Sequence, residues 1–124
     1  MEKLKFLAEV IQKAWGKDTC YPPIAKDWIQ ENPAFGQCAI TALIVQDYYG
    51  GKLLYCEHNH HYWNKLPNGK KVDLSESQFK HGVIICEDEV RTREYVLNSK
   101  GAKEANTPAR YQILKQRVKQ NLQQ

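Results

Sequence analysis

Phe35-Gly36-Gln37-Cys38-Ala39-Ile40-Thr41-Ala42-Leu43-Ile44-Val45-Gln46-Asp47-Tyr48-Tyr49-Gly50-Gly51 is the stretch around which the rest of the chain must organise. Its middle is apolar nearly all round. That pattern marks a helix with no solvent face, buried at the centre of the fold. Gly50-Gly51 supplies the left-handed stop that a helix C-terminus favours. Cys38 therefore falls in the first turn of a buried helix.

Upstream, Leu4, Leu7, Ala8, Ile11 and Trp15 recur at three- and four-residue spacings. They predict an amphipathic helix over residues 2–14, closed by Gly16. Between it and the central helix, Lys17 to Phe35 loses periodicity and gains Pro22-Pro23 and Asn32-Pro33. Proline removes donors and restricts the residue before it, so this is an irregular connector with a turn of helix around Ala25 to Ile29. Downstream the pattern turns strand-like, over Lys52 to Cys56 and His60 to Leu66, then Pro67-Asn68-Gly69-Lys70 as a hairpin signal and Lys71 to Leu74 returning. Val83 to Cys86 and Glu94 to Leu97 read as further short strands. Thr107-Pro108 gives an N-cap and a proline at the first helical position, followed by a terminal helix striped by Tyr111, Ile113, Leu114 and Val118. The order is helix, helix, strands, helix. The expectation is a single α+β domain over residues 1–124, with N- and C-terminal helices flanking the buried one and a small antiparallel sheet packed on it.

At 124 residues, 42% apolar and 26% charged, the composition is that of one ordinary globular domain. Three Trp, seven Tyr and three Phe argue against disorder. No apolar run nears the roughly 20 residues a membrane helix needs, and the charged N-terminus is unlike a signal peptide. The expected address is the cytoplasm, with no membrane partner. A net charge of +4 is too mild to point to nucleic acid. Lys100, Lys103, Arg110, Lys115, Arg117 and Lys119 read instead as solvated faces of a loop and a helix. Cys20, Cys38, Cys56 and Cys86 form no CxxC pair and read as reduced thiols.

A thiol attacks only as its thiolate, which the unpaired amides and dipole of a helix N-terminus favour. Cys38 has that placement. The same amides can hold an oxyanion, with the Gln37 side chain as a second donor. A nucleophile also needs a base, and the base a group to orient it. His61 and Asp73 lie on the two arms of the hairpin, and side-chain parity tests them. A two-residue Asn68-Gly69 turn would set Asp73 opposite Asn64, facing away from His61. A three-residue Pro67-Asn68-Gly69 loop, with Gly69 left-handed, pairs Leu66 with Lys70. It sets Asp73 opposite Trp63, diagonal to His61 on the same face. Diagonal neighbours lie roughly 7–8 Å apart at the backbone, within reach of a carboxylate and an imidazole. The plainer readings are a partly exposed strand histidine and an aspartate capping the Ser75-Glu76-Ser77-Gln78 turn.

The segment Asn32 to Leu43, with Gln46-Asp47 and Gly50-Gly51, then His61 to Leu66 and Asn68-Gly69 through Asp73-Leu74-Ser75, resembles the bacterial YunG-like family. Gln78-Phe79, Arg110-Tyr111, Leu114 and Arg117-Val118 fit as well. That resemblance covers most of the chain and names no reaction. More distantly, Cys at a helix start, His-x-Trp on a strand and Asp before Leu-Ser resemble transglutaminase-like proteins of the papain-like class. This second resemblance implies a papain-like core with Cys38 as nucleophile, His61 as general acid and base, and Asp73 as the orienting carboxylate. The implied function is a cysteine-dependent hydrolase or acyltransferase acting on a peptide or small-molecule amide or ester, with no cofactor.

Two alternatives compete. Cys56, His58 and His60 would share one face of a strand, and His81 and Cys86 could add to a metal site, although the spacing matches no common zinc pattern. The other is a non-catalytic binding domain on the same fold, since function does not follow from fold.

Overall fold

The computed structural model describes residues 2–57, 60–75 and 89–123. The first helix, α1 (Glu2–Ala14), ends where Gly16 predicts, and α2 (Cys38–Tyr49) is the buried helix, closed by Gly50 donating its N–H to Gln46 O at 2.8 Å. Ile40 to Val45 of α2 are all buried, in one core with Leu7, Ile11 and Trp15 and with Tyr111, Leu114 and Val118. Each fully buried Leu or Ile stabilises the fold by about 1.5–3 kcal/mol, and α2 packs chiefly on the strand over residues 61–65 and the helix over residues 107–122.

Polar contacts pin α2 at both ends. Trp15 Nε1 donates to Thr41 Oγ1 at 2.9 Å inside the core, tying α1 to the first turns of α2. At the far end, Asp47 accepts from Arg93 and from the Tyr111 hydroxyl, while Arg93 also reaches Gln46 Oε1 at 2.9 Å.

The strands are β1 (Lys52–Cys56), β2 (His61–Lys65), β3 (Lys71–Val72) and β4 (Glu89–Arg91). Among the described residues they form an antiparallel sheet in the order β3-β2-β1-β4. Asn64 fastens the sheet to the buried helix, its Nδ2 donating to Ala42 O at 2.9 Å. The β2–β3 connection is the three-residue loop. Leu66 N–H donates to Lys70 O at 2.8 Å, Gly69 has φ +90°, and the pairs are Asn64 with Val72 and Lys65 with Lys71. A non-glycine residue adopts that φ only at a cost, so Gly69 decides the register.

Several expectations need correction. Glu94 to Leu97 is not a strand but lies in α3 (Arg93–Asn98), nucleated by Thr92, whose side chain accepts from Tyr95 N–H. A short apolar run carries no period of its own, and the cap decides. A further helix, α4 (Lys100–Glu104), precedes α5 (Thr107–Leu122). The residue before α5 is Asn106 at φ +55°, one position earlier than the expected cap, and Ile113 stands exposed instead of striping the core. Arg110 is not solvated: it is buried, giving Nη1 to Thr19 O and Nε to Ala105 O. The connector's helical turn is a 3₁₀ segment over Pro22–Asp27, short of Ile29. Val83 to Cys86 lies outside the described residues. Cys56 is disulfide-bonded, against the expectation of four reduced thiols, whereas Cys20 and Cys38 are free.

Candidate active site

Cys38 opens α2 as a half-buried free thiol. No side chain caps this helix start, so its first amides are left without a side-chain acceptor. The sulfur lies 3.9 Å from the carbonyl oxygen of His60. Gln37 does not serve as the expected oxyanion donor. Its amide is fully buried and committed elsewhere: Nε2 donates to Gly16 O at 3.0 Å and to Phe35 O at 3.4 Å, and Oε1 accepts from Thr19 Oγ1 at 2.8 Å. With both donor hydrogens spent on backbone carbonyls, Gln37 anchors the connector, and the backbone amides of α2 are what remains to meet an oxyanion.

His61 begins β2 and is almost completely buried, its ring stacked on Trp63 at 5.7 Å between centroids. The three-residue loop carries Asp73 back beside it, and Nε2 of His61 lies 2.6 Å from Oδ2 of Asp73. The second oxygen, Oδ1, accepts from Ser75 N–H at 3.2 Å and from Ser75 Oγ at 3.4 Å. The plain reading of Asp73 as a turn cap and the chemical reading as an imidazole partner are thus both realised, one oxygen each. Burial of the ring disfavours its charge. The Asp73 hydrogen bond, a hydrogen bond with Cys38 and the negative charges of both partners outweigh it, raising the His61 pKa from 6.5 to about 9. Sulfur, imidazole and carboxylate are therefore within one another's influence.

A cluster of aromatic and basic residues connects to Cys38 through His60, and sequence reading does not assemble it. Tyr55 and Tyr62 face each other across β1 and β2, ring centroids 4.7 Å apart, and the Tyr55 hydroxyl is 3.0 Å from His60 Nδ1. Arg91 of β4 sits over Tyr55 at 4.9 Å and over Tyr95 at 4.8 Å. Burial pushes the Tyr62 hydroxyl up to about 12, with the charges of Tyr55 and Cys38 adding to the effect and that of Arg91 opposing it. Only the register of β4 on β1, which pairs Glu89 with Tyr55 and Arg91 with Leu53, brings these groups together.

The metal alternative loses Cys56, because a disulfide-bonded cysteine has no thiolate to give. His58, His81 and Cys86 lie outside the described residues. Among the described residues no helix is long and apolar enough to cross a membrane.

No solved structure matches the chain. A curated relative from Bacillus subtilis (strain 168), described as "Uncharacterized protein YunG", is 29% identical over 82 residues, a match spanning 64% of this chain and 64% of the relative. The family model described as "YunG protein" matches residues 3–123, which takes in both arms of the hairpin and all three helices of the core; the chain belongs to the YunG family.

Proposed function

We propose that this protein is a cysteine-dependent hydrolase or acyltransferase built on a papain-like, transglutaminase-like arrangement of helix and sheet. The observation that carries the reading is the 2.6 Å contact between His61 and Asp73, made by a histidine whose ring also interacts with Cys38 at a helix start. In this mechanism the Cys38 thiolate attacks the carbonyl carbon of an amide or ester, forming a C–S bond while the carbonyl π pair moves to oxygen. The resulting oxyanion meets the first backbone amides of α2. Collapse breaks the bond to the leaving amine or alcohol, which takes its proton from His61. Water or a second amine then attacks the thioester, giving its proton to His61, and Cys38 leaves as thiolate. Asp73 keeps one ring nitrogen of His61 engaged so that the other faces the sulfur.

Alkylation by iodoacetamide near pH 7, read by peptide mass spectrometry, tests the reading. Cys38 is expected to react about 100-fold faster than Cys20, the advantage falling at least ten-fold in His61→Ala. Equal rates at the two thiols, or a Cys38 rate indifferent to His61, would overturn it.

A further inference from the structure

Arg91, on the outermost of the described strands, is held between two aromatic rings. Its guanidinium lies over two tyrosine rings, Tyr55 and Tyr95, at 4.9 and 4.8 Å, which fixes its plane. The Nε is buried and, among the described residues, has no hydrogen-bond partner, a state uncommon in folded proteins. Of the terminal nitrogens, Nη2 meets Glu89 Oε2 at 2.9 Å. Glu89 is two positions away on the same strand with its side chain half exposed, so the contact is a rim ion pair that water and other anions compete with. Its carboxylate shows what the accessible edge of Arg91 takes.

The position relative to the reacting sulfur follows a chain of contacts. Cys38 Sγ is 3.9 Å from His60 O, the ring of His60 is 3.0 Å from the Tyr55 hydroxyl, and Tyr55 forms one wall of the guanidinium site. Tyr62, packed on Tyr55, extends the wall. Both tyrosine hydroxyls are raised chiefly by burial, with the charge of Cys38 contributing to each.

We propose that Arg91, clamped by Tyr55 and Tyr95 and linked to Cys38 through Tyr55 and His60, binds a carboxylate of the substrate. The preferred class is then an amide or ester that carries a free carboxylate close to the bond being broken, as in an N-acyl amino acid or the end of a peptide. The inference rests on the cysteine-dependent reading above. A single guanidinium with an acidic neighbour matches one unit of negative charge in a planar, two-oxygen group, which favours carboxylate over the more highly charged phosphate. Binding displaces Glu89 from Nη2 to solvent.

The test uses thiol-directed probes matched in all but charge: N-chloroacetyl derivatives of glycine, β-alanine and γ-aminobutyrate as free acids, the corresponding primary amides, and the analogous phosphonates. Alkylation of Cys38 in the intact protein is followed by mass spectrometry. At the best linker length the acid is expected to react about ten-fold faster than its amide. That ratio should collapse toward one in Arg91→Met, which keeps the apolar stem, and rise in Glu89→Gln, which removes the internal competitor. Should Arg91→Met fail to fold, Glu89→Gln decides alone. A ratio near one at every linker length, a ratio indifferent to both variants, or a phosphonate favoured over the carboxylate would overturn the assignment. Failure of the catalytic reading is seen separately: the neutral amides would then label Cys38 no faster than Cys20, whatever happens at Arg91.

Discussion

Two free thiols, Cys20 and Cys38, occupy neighbouring regions with opposite characters. Cys20 belongs to the connector and is 2% exposed. Burial pushes its thiol up, and the charge of Arg110 only partly offsets this. The polar groups of this region hold the connector: Tyr21 N–H on Gly36 O, Arg110 on Thr19 O, Gln37 on Gly16 O. Cys38 is half-buried at an uncapped helix start, next to an imidazole that is itself held by a carboxylate. The difference teaches that the connector uses its hydrogen bonds to close a structure, whereas the hairpin uses its own to aim a ring. Gln37 is the seam between them, its side chain working for the first region and its main chain leading into the second.

The largest expected effect comes from uncoupling the ring. Asp73→Asn should lower turnover, or the Cys38 alkylation rate, by about 10²–10⁴ while leaving Cys20 unaffected. It also carries a pH signature. His61 has its folded pKa raised from 6.5 to about 9, so the stabilisation from its partners is complete below pH 6.5 and is lost as pH rises through 9. The unfolding free-energy gap between wild type and Asp73→Asn, measured by urea titration, should therefore be widest near pH 6 and shrink by pH 10. A gap that widens with pH would refute the assignment of charge to the ring.

Next comes the connector. Gly36 has φ +74°, and a Cβ there would collide with Cys20 Sγ and stand 3.0 Å from the Tyr21 backbone nitrogen. Gly36→Ala should destabilise the protein by about 2–4 kcal/mol. Adding Cys20→Ala should recover part of that loss, and a double-mutant cycle with no coupling would break the contact between the two positions. Gln37→Leu should cost about 1–3 kcal/mol by removing the amide's hydrogen bonds to Gly16 O, Phe35 O and Thr19 Oγ1, with the Cys38 alkylation rate per folded molecule within a few-fold of wild type. A hundred-fold loss of rate would restore Gln37 as an oxyanion donor. The smallest effect belongs to Cys20→Ala, about 1–2 kcal/mol in chemical denaturation with no loss of Cys38 reactivity.

What could be read from the chain beforehand follows from what carries a period or a forced dihedral. The helices α1 and α2 and the strand β1 are legible because their apolar spacing is long or unbroken and glycines end the helices. The meeting of His61 and Asp73 is legible because Gly69 sets a three-residue loop, and parity does the rest. Elsewhere the decisive information is tertiary. Tyr95-Val96-Leu97 has no period, and Glu89-Val90-Arg91 is a three-residue strand with one apolar residue, so neither declares its class. The Gln37 amide turns away from the site because Gly16 and Thr19 lie behind it, which only packing reveals. Cysteine spacing does not encode pairing, so the state of Cys56 was hidden. The Arg91 clamp needs the β1–β4 register before it exists at all.

The helix bearing Cys38 is moored at its front by Trp15 and at its rear by the Asp47, Arg93 and Tyr111 clasp. Its partners in chemistry hang from a hairpin whose return strand has two residues. The strand that carries His61 is itself paired through five residues to β1 and fastened to the helix through Asn64, so thiol and imidazole share one frame, and only the short return strand with Asp73 stands at its margin.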